Sequence, residues 1–119
     1  MLLAAQIVTG LVLLIHVYIV LLETLLFQSR GRKVFGLSRE HAEIMRPALS
    51  NQGCYNGFLV AALAVGFLHH QPDTARAFTV FGLACVAVAG VWGAATVKRS
   101  ILFIQTVPAV LALVLFSLS

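Results

Sequence analysis

Apolar and polar positions separate the chain into four long hydrophobic stretches joined by short polar connections. The first runs from about Leu2 to Phe27, broken only by Gln6, Thr9, His16, Glu23 and a few mild residues. Thr9, His16 and Glu23 recur at seven-residue steps, which sets them near one face of a helix. The second, residues 50–69, opens on the polar run Asn51-Gln-Gly-Cys-Tyr-Asn-Gly57 and continues as the apolar segment Phe58–Leu68. Residues 77–97, rich in Ala and Gly, form the third, and residues 101–118 the fourth. At 18 to 26 residues each, all four can cross a hydrocarbon core about 30 Å thick. The pattern predicts an all-α, polytopic membrane protein: four transmembrane helices in a single domain over residues 1–119.

The connections refine this picture. Residues 29–46 form the one long polar link, with Gly31 read as a breaker. Ser38 is placed to cap a short helix, Arg39–Met45, lying on the head groups between the first two spans. Pro47 suits the first turn of the second span. His69-His70-Gln-Pro-Asp-Thr74 reads as a short turn in which Pro72 ends the helix, and Lys98-Arg99-Ser100 as a tight one. Pro108 predicts a bend in the fourth span. Gly53, Gly57 and Ala61, four apart, predict a smooth strip for close helix approach, as do Gly82, Ala89 and Gly93.

Composition agrees with burial in lipid. Of 119 residues, 61% are hydrophobic and 10% charged, with a mean hydropathy of +1.00, outside the range of soluble domains. The pI near 9.7 does not indicate nucleic acid, because the basic residues flank apolar segments and form no long polar patch. Seven of the eight (Arg30, Arg32, Lys33, Arg39, Arg46, Lys98, Arg99) lie in the first and third connections, and only Arg76 in the second. The positive-inside rule then places both termini outside and the first and third loops in the cytoplasm. Cys54 and Cys85 fall at different depths, so no disulfide is expected. The N-terminal apolar run exceeds a signal-peptide core and is read as a retained span.

On that topology the polar residues of all four spans gather in one layer on the cytoplasmic side. A carboxylate within a span is costly and marks a functional hypothesis, with pairing to Arg30, Arg46 or Lys98 the structural alternative for Glu23. His16, about 10 Å deeper at 1.5 Å of rise per residue, is read as an interhelical hydrogen-bonding group or a ligand-binding one. Asn51, Gln52 and Asn56, beside Tyr55, either hold helices together or bind a ligand, and Gln105 shares that choice. The candidate ligand-binding set is therefore Glu23, Asn51, Tyr55, Asn56, Gln105, His16 and Arg46, the last to meet an anion. No catalytic residue is assigned. Trp92 reads as an interfacial anchor. His69, His70 and Asp73 have poor count and spacing for a metal, and no metal site is predicted.

The runs Arg-Gly-Arg-Lys-Val-Phe-Gly-Leu (30–37) and Asn-Gln-Gly-Cys-Tyr-Asn-Gly-Phe-Leu (51–59), preceded by His16-Val-Tyr-Ile and Glu23, resemble a bacterial family known only as a domain of unknown function, number thirteen-oh-four. This resemblance covers essentially the whole chain, implies a four-span protein of a bacterial plasma membrane and names no activity. More remotely, the architecture is similar to the membrane-associated proteins in eicosanoid and glutathione metabolism. That resemblance implies a trimer with glutathione between subunits in the cytoplasmic half, held by an Arg and an Asn at the start of the second span. Arg46 and Asn51 are the nearest matches, one residue further apart than that pattern. The acidic residue that should follow the Asn is absent, with Cys54 and Tyr55 there instead, and so is the fourth-span Arg that assists thiolate chemistry. The small multidrug resistance transporters are similar in length, span number and a Glu in the first span, but lack the long charged first loop.

Three functions of different classes follow. A homo-oligomer would bind a small amphipathic or lipid-like molecule from the bilayer, with transferase or isomerase chemistry suggested by the remote resemblance. A transporter would couple protons to efflux through Glu23. In the third case the polar layer is packing alone.

Overall fold

The computed structural model describes all residues, 1–119, and is all-helical. Helix α1 spans Leu2–Glu23, a π-helical turn Phe27–Gly31 leads into a single turn α2 (Arg32–Val34), and α3 spans Arg39–Leu68. Helix α4 covers Pro72–Thr96, and a second π-helical turn, Leu102–Thr106, opens into α5, Val107–Ser117. Two of these, α1 and α4, are long and apolar enough to cross a membrane. The other two predicted spans fall short of that description for different reasons. The long α3 mixes charges and amides into its first half, and the last apolar stretch is divided by its π turn into a shorter helix.

Contacts group the chain into two compact units, residues 16–58 and residues 1–15 with 59–119. In the first, α1 ends in a widened turn. Leu26 N–H donates to the Leu21 carbonyl (2.8 Å) and Gly31 N–H to that of Leu26 (2.7 Å), both five-residue bonds. Thr24 Oγ1 returns to the Val20 carbonyl at 2.6 Å, a side-chain bond that competes with the helix ladder. Gly31, expected to break the chain, instead keeps helical dihedrals. It is glycine because a Cβ there would overlap the Leu22 carbonyl oxygen. The actual breaker is Gly36, at φ +71°. Leu37 N–H reaches the Arg32 carbonyl (2.7 Å) and Gly36 N–H that of Lys33 (3.2 Å), a Schellman closure that needs the left-handed residue.

Ser38 caps the next helix as the sequence predicts, its Oγ accepting from His41 N–H at 3.2 Å. That helix does not stop at Met45. It runs unbroken through Pro47 to Leu68, so the separate interfacial helix is absent and α3 is 30 residues long. Pro47 removes one backbone bond, to the Glu43 carbonyl, but residues 43–48 are all exposed, and solvent can take up that carbonyl.

The second unit is built around Ala5, Val12, Leu63, Leu83, Val86, Ala109, Ala112 and Phe116. Pro72 opens α4 as its first residue, after Gln71, instead of merely ending the preceding helix. Its glycines set helix approach. A Cβ on Gly82 would lie 2.9 Å from Leu63 Cδ2, and one on Gly90 2.7 Å from the Thr106 nitrogen. Thr106 Oγ1 also donates to the Ala87 carbonyl (2.9 Å), holding the π turn onto α4. The predicted irregularity near Pro108 thus lies in the preceding turn, where the missing N–H and the ring's clash with the carbonyl four residues back widen the ladder. Arg76, the one basic residue of the second connection, donates from Nη2 to the Phe116 carbonyl at the end of α5 (3.0 Å), where a cation is favoured.

Candidate functional site

Glu23 is the last residue of α1, and its side chain turns toward α3 instead of leaving the helix end. Glycine makes this possible. A Cβ at Gly53 would stand 2.6 Å from Thr24 Cγ2 and 3.2 Å from Glu23 Cβ, so only a bare backbone fits there. Asn56, three residues on, lies on the same side of α3, and its Nδ2 donates to Glu23 Oε1 at 2.6 Å. Both residues are buried, at 7% and 5% exposure. An amide nitrogen donating to a carboxyl oxygen satisfies one buried acceptor of Glu23. The second oxygen, Oε2, receives no donor from the protein and is not sealed from the surface.

The remaining predicted residues are placed as follows. His16 is fully buried on the covered side of α1, with Thr9. Asn51, Gln52 and Tyr55 are exposed on α3, and Tyr55 packs edge-on against Phe58 with ring centroids 5.6 Å apart. Arg46 is exposed and paired with Glu43 at 3.8 Å on its own helix. Gln105 belongs to the other unit, half-buried in the π turn, its Cβ 2.9 Å from where a Cβ on Gly90 would stand. Within residues 16–58, then, the fold brings Glu23 and Asn56 together and leaves Asn51, Tyr55 and Arg46 on the surface. The predicted glycine strip is also narrower than its four-residue spacing suggests. Gly53 is buried, whereas a Cβ at Gly57 would meet nothing within 4 Å and Ala61 is exposed. Buried positions of α3 run Ala42, Gly53, Asn56, Leu63, spacings that fit a period of 3.6 better than one of four.

Two contacts of this unit were not singled out from the sequence. Arg30 Nε donates to the Tyr18 hydroxyl, with the guanidinium 5.7 Å from that ring's centroid. Gln28 Nε2 donates to Glu43 Oε2 at 2.7 Å. Neither has a periodic signal, because the wide turn after Glu23 sets which side chains meet.

A family model matches residues 10–117, a stretch that takes in both Glu23 and Asn56. The chain belongs to the family described as protein of unknown function DUF1304. No curated protein and no solved structure matches it. The family description names no activity, so the chemistry rests on the side chains. An ionised carboxylate is acceptor-only. With Oε1 occupied by Asn56, Oε2 is an acceptor suited to a hydroxyl or an ammonium. No group of three His, Cys, Asp or Glu side chains converges on a metal position.

Proposed function

We propose that this DUF1304 protein is an integral membrane protein that binds the polar end of a small amphipathic or lipid-like molecule at the Glu23–Asn56 pair, in the cytoplasmic leaflet. The carrying observation is a buried carboxylate with one oxygen fixed by an amide and the other open. A carboxylate in a span is expensive and is retained where it has a task.

Four crossings, with both termini outside and the first and third connections cytoplasmic, are supported by α1 and α4, by the asymmetry of the basic residues and by large exposed side chains such as Leu14, Phe81, Val88 and Phe103. At about 1.5 Å per residue α3 is roughly 45 Å long, against a core of about 30 Å. Its charged first turns therefore project beyond the hydrocarbon and Asn51–Asn56 lie at its edge. A homo-oligomer, trimeric by the remote resemblance, would cover those amides. The donor-seeking Oε2 and the engagement of Arg46 by Glu43 favour a hydroxyl- or ammonium-headed amphiphile over glutathione, which brings carboxylates.

Native mass spectrometry of the purified protein tests this. The wild type is expected to retain an amphiphile that Glu23→Ala loses at unchanged subunit count. A wild type stripped to a bare monomer overturns it. Proton-coupled transport, favoured by the same buried carboxylate, predicts instead that Glu23→Gln abolishes efflux of a hydrophobic cation. Packing alone, favoured by the tight Gly53 contact, predicts that Asn56→Ala lowers thermal stability and changes nothing else.

A further inference from the structure

Residues 30–33 carry three cations, Arg30, Arg32 and Lys33, and no acid. The nearest acids in sequence are Glu23, seven residues before Arg30 and bonded to Asn56 at 2.6 Å, and Glu40, seven residues after Lys33, while Glu43 is engaged by Gln28 at 2.7 Å and Arg46 at 3.8 Å. What distinguishes the cluster from a solvated charge run is how its arginines are held. Arg30 is tied at Nε to the Tyr18 hydroxyl and lies over that ring. Arg32 is tied at Nε to the Gln28 carbonyl at 3.1 Å. Each guanidinium is thus fixed by its inner nitrogen, and no protein acceptor takes the two terminal nitrogens of either. Those terminal N–H groups match two oxygens of one phosphate.

The surroundings are apolar. Leu25 is 85% exposed, and Leu26, Val34 and Phe35 are exposed on either side of the cations. Tyr18, five residues before the end of α1, presents an amphipathic ring of the kind that sits at head-group level. A basic tip between exposed aliphatic and aromatic side chains suits a ligand with an anionic head and acyl chains. Free phosphate would use the guanidinium tips and leave the apolar flanks in water.

We infer that Arg30 binds the phosphate of an anionic phospholipid, with Arg32 and Lys33 adding positive charge on the same short segment, and that Tyr18 is a positioning residue that presents Arg30. This site is separate from the Glu23–Asn56 pair in its residues and in the charge it seeks, so either can fail alone.

The test measures binding of dioctanoyl phosphatidylglycerol and dioctanoyl phosphatidylcholine to the full chain in a neutral detergent. The wild type is expected to prefer phosphatidylglycerol. Arg30→Gln should weaken that binding about fivefold, from roughly 1 kcal/mol per basic residue near an anionic surface. Tyr18→Phe keeps every charge and removes the tether, and should weaken it about threefold through lost preorganisation. Arg99→Gln, which removes one cation outside residues 30–33, should change it less than about twofold. Equal binding of the two lipids overturns the inference. An equal loss in Arg99→Gln also overturns it, since diffuse charge then suffices. Displacement of the lipid by equimolar inorganic phosphate assigns the site to free phosphate and overturns the lipid. If Arg30→Gln does not fold, Arg30→Lys, which keeps the charge but loses the Nε tether, should reproduce the Tyr18→Phe loss, and wild-type affinity overturns the inference.

Discussion

The Asn56 amide meets the Glu23 carboxylate at 2.6 Å across 33 residues of sequence, and Gly53, one turn earlier on α3, makes the approach possible. Removing the amide leaves a buried carboxylate without its donor. Asn56→Ala should therefore destabilise the protein by about 1–3 kcal/mol, read as a lower thermal midpoint in detergent. Glu23→Gln keeps an oxygen for the Asn56 donor and should cost clearly less. Equal losses would mean that the carboxylate's charge, and not merely an oxygen acceptor, holds the pair.

Gly53→Ala tests the approach itself. Its Cβ would press on Thr24 Cγ2 at 2.6 Å, and overpacking of this kind costs about 1–3 kcal/mol. Thr24→Ser removes that methyl and keeps the hydroxyl bonded to the Val20 carbonyl. The double variant should recover most of the loss in the same melting experiment.

In the other unit, Gly90→Ala would set a Cβ 2.7 Å from the Thr106 nitrogen and 2.9 Å from Gln105 Cβ. A backbone atom cannot swing aside, so the π turn must move. A loss of about 1–3 kcal/mol is expected, with faster amide exchange in residues 102–107. Gly57→Ala meets open space and should stabilise α3 by up to about 1 kcal/mol through helix propensity. Opposite signs in the two variants are the measurable outcome.

Arg76→Gln removes the charged donor from the Phe116 carbonyl, 3.0 Å away, and the cation from the ring at 5.9 Å. The side chain is largely exposed, so the cost should stay near 0.5–1 kcal/mol. It should appear as faster exchange of the last amides of α5, with little change elsewhere.

Topology gives a prediction independent of any site. A reporter fused after Ser119 should be active only outside the membrane, and one inserted after Gly36 only in the cytoplasm. Glutamines at Arg30, Arg32 and Lys33 together should erode that orientation.

The helical class was legible because apolar runs and cap chemistry are local. Ser38 caps α3, the turn at residues 98–100 closes, and Thr9, His16 and Glu23 are all buried on α1. Membership of the family was legible from the two runs at 30–37 and 51–59. What sequence alone left open depends on how two segments approach. Pro47 reads locally as a helix start, yet the helix continues through it because the carbonyl it strands is exposed. Gly31 reads as a breaker, yet it is a close-approach residue, and Gly36 performs the reversal. Of three neighbouring amides, periodicity gave no means to choose the one that meets Glu23. That choice follows from which side of α3 lies against α1, and a missing Cβ at Gly53 decides it, a steric fact between residues 30 positions apart that no local pattern encodes.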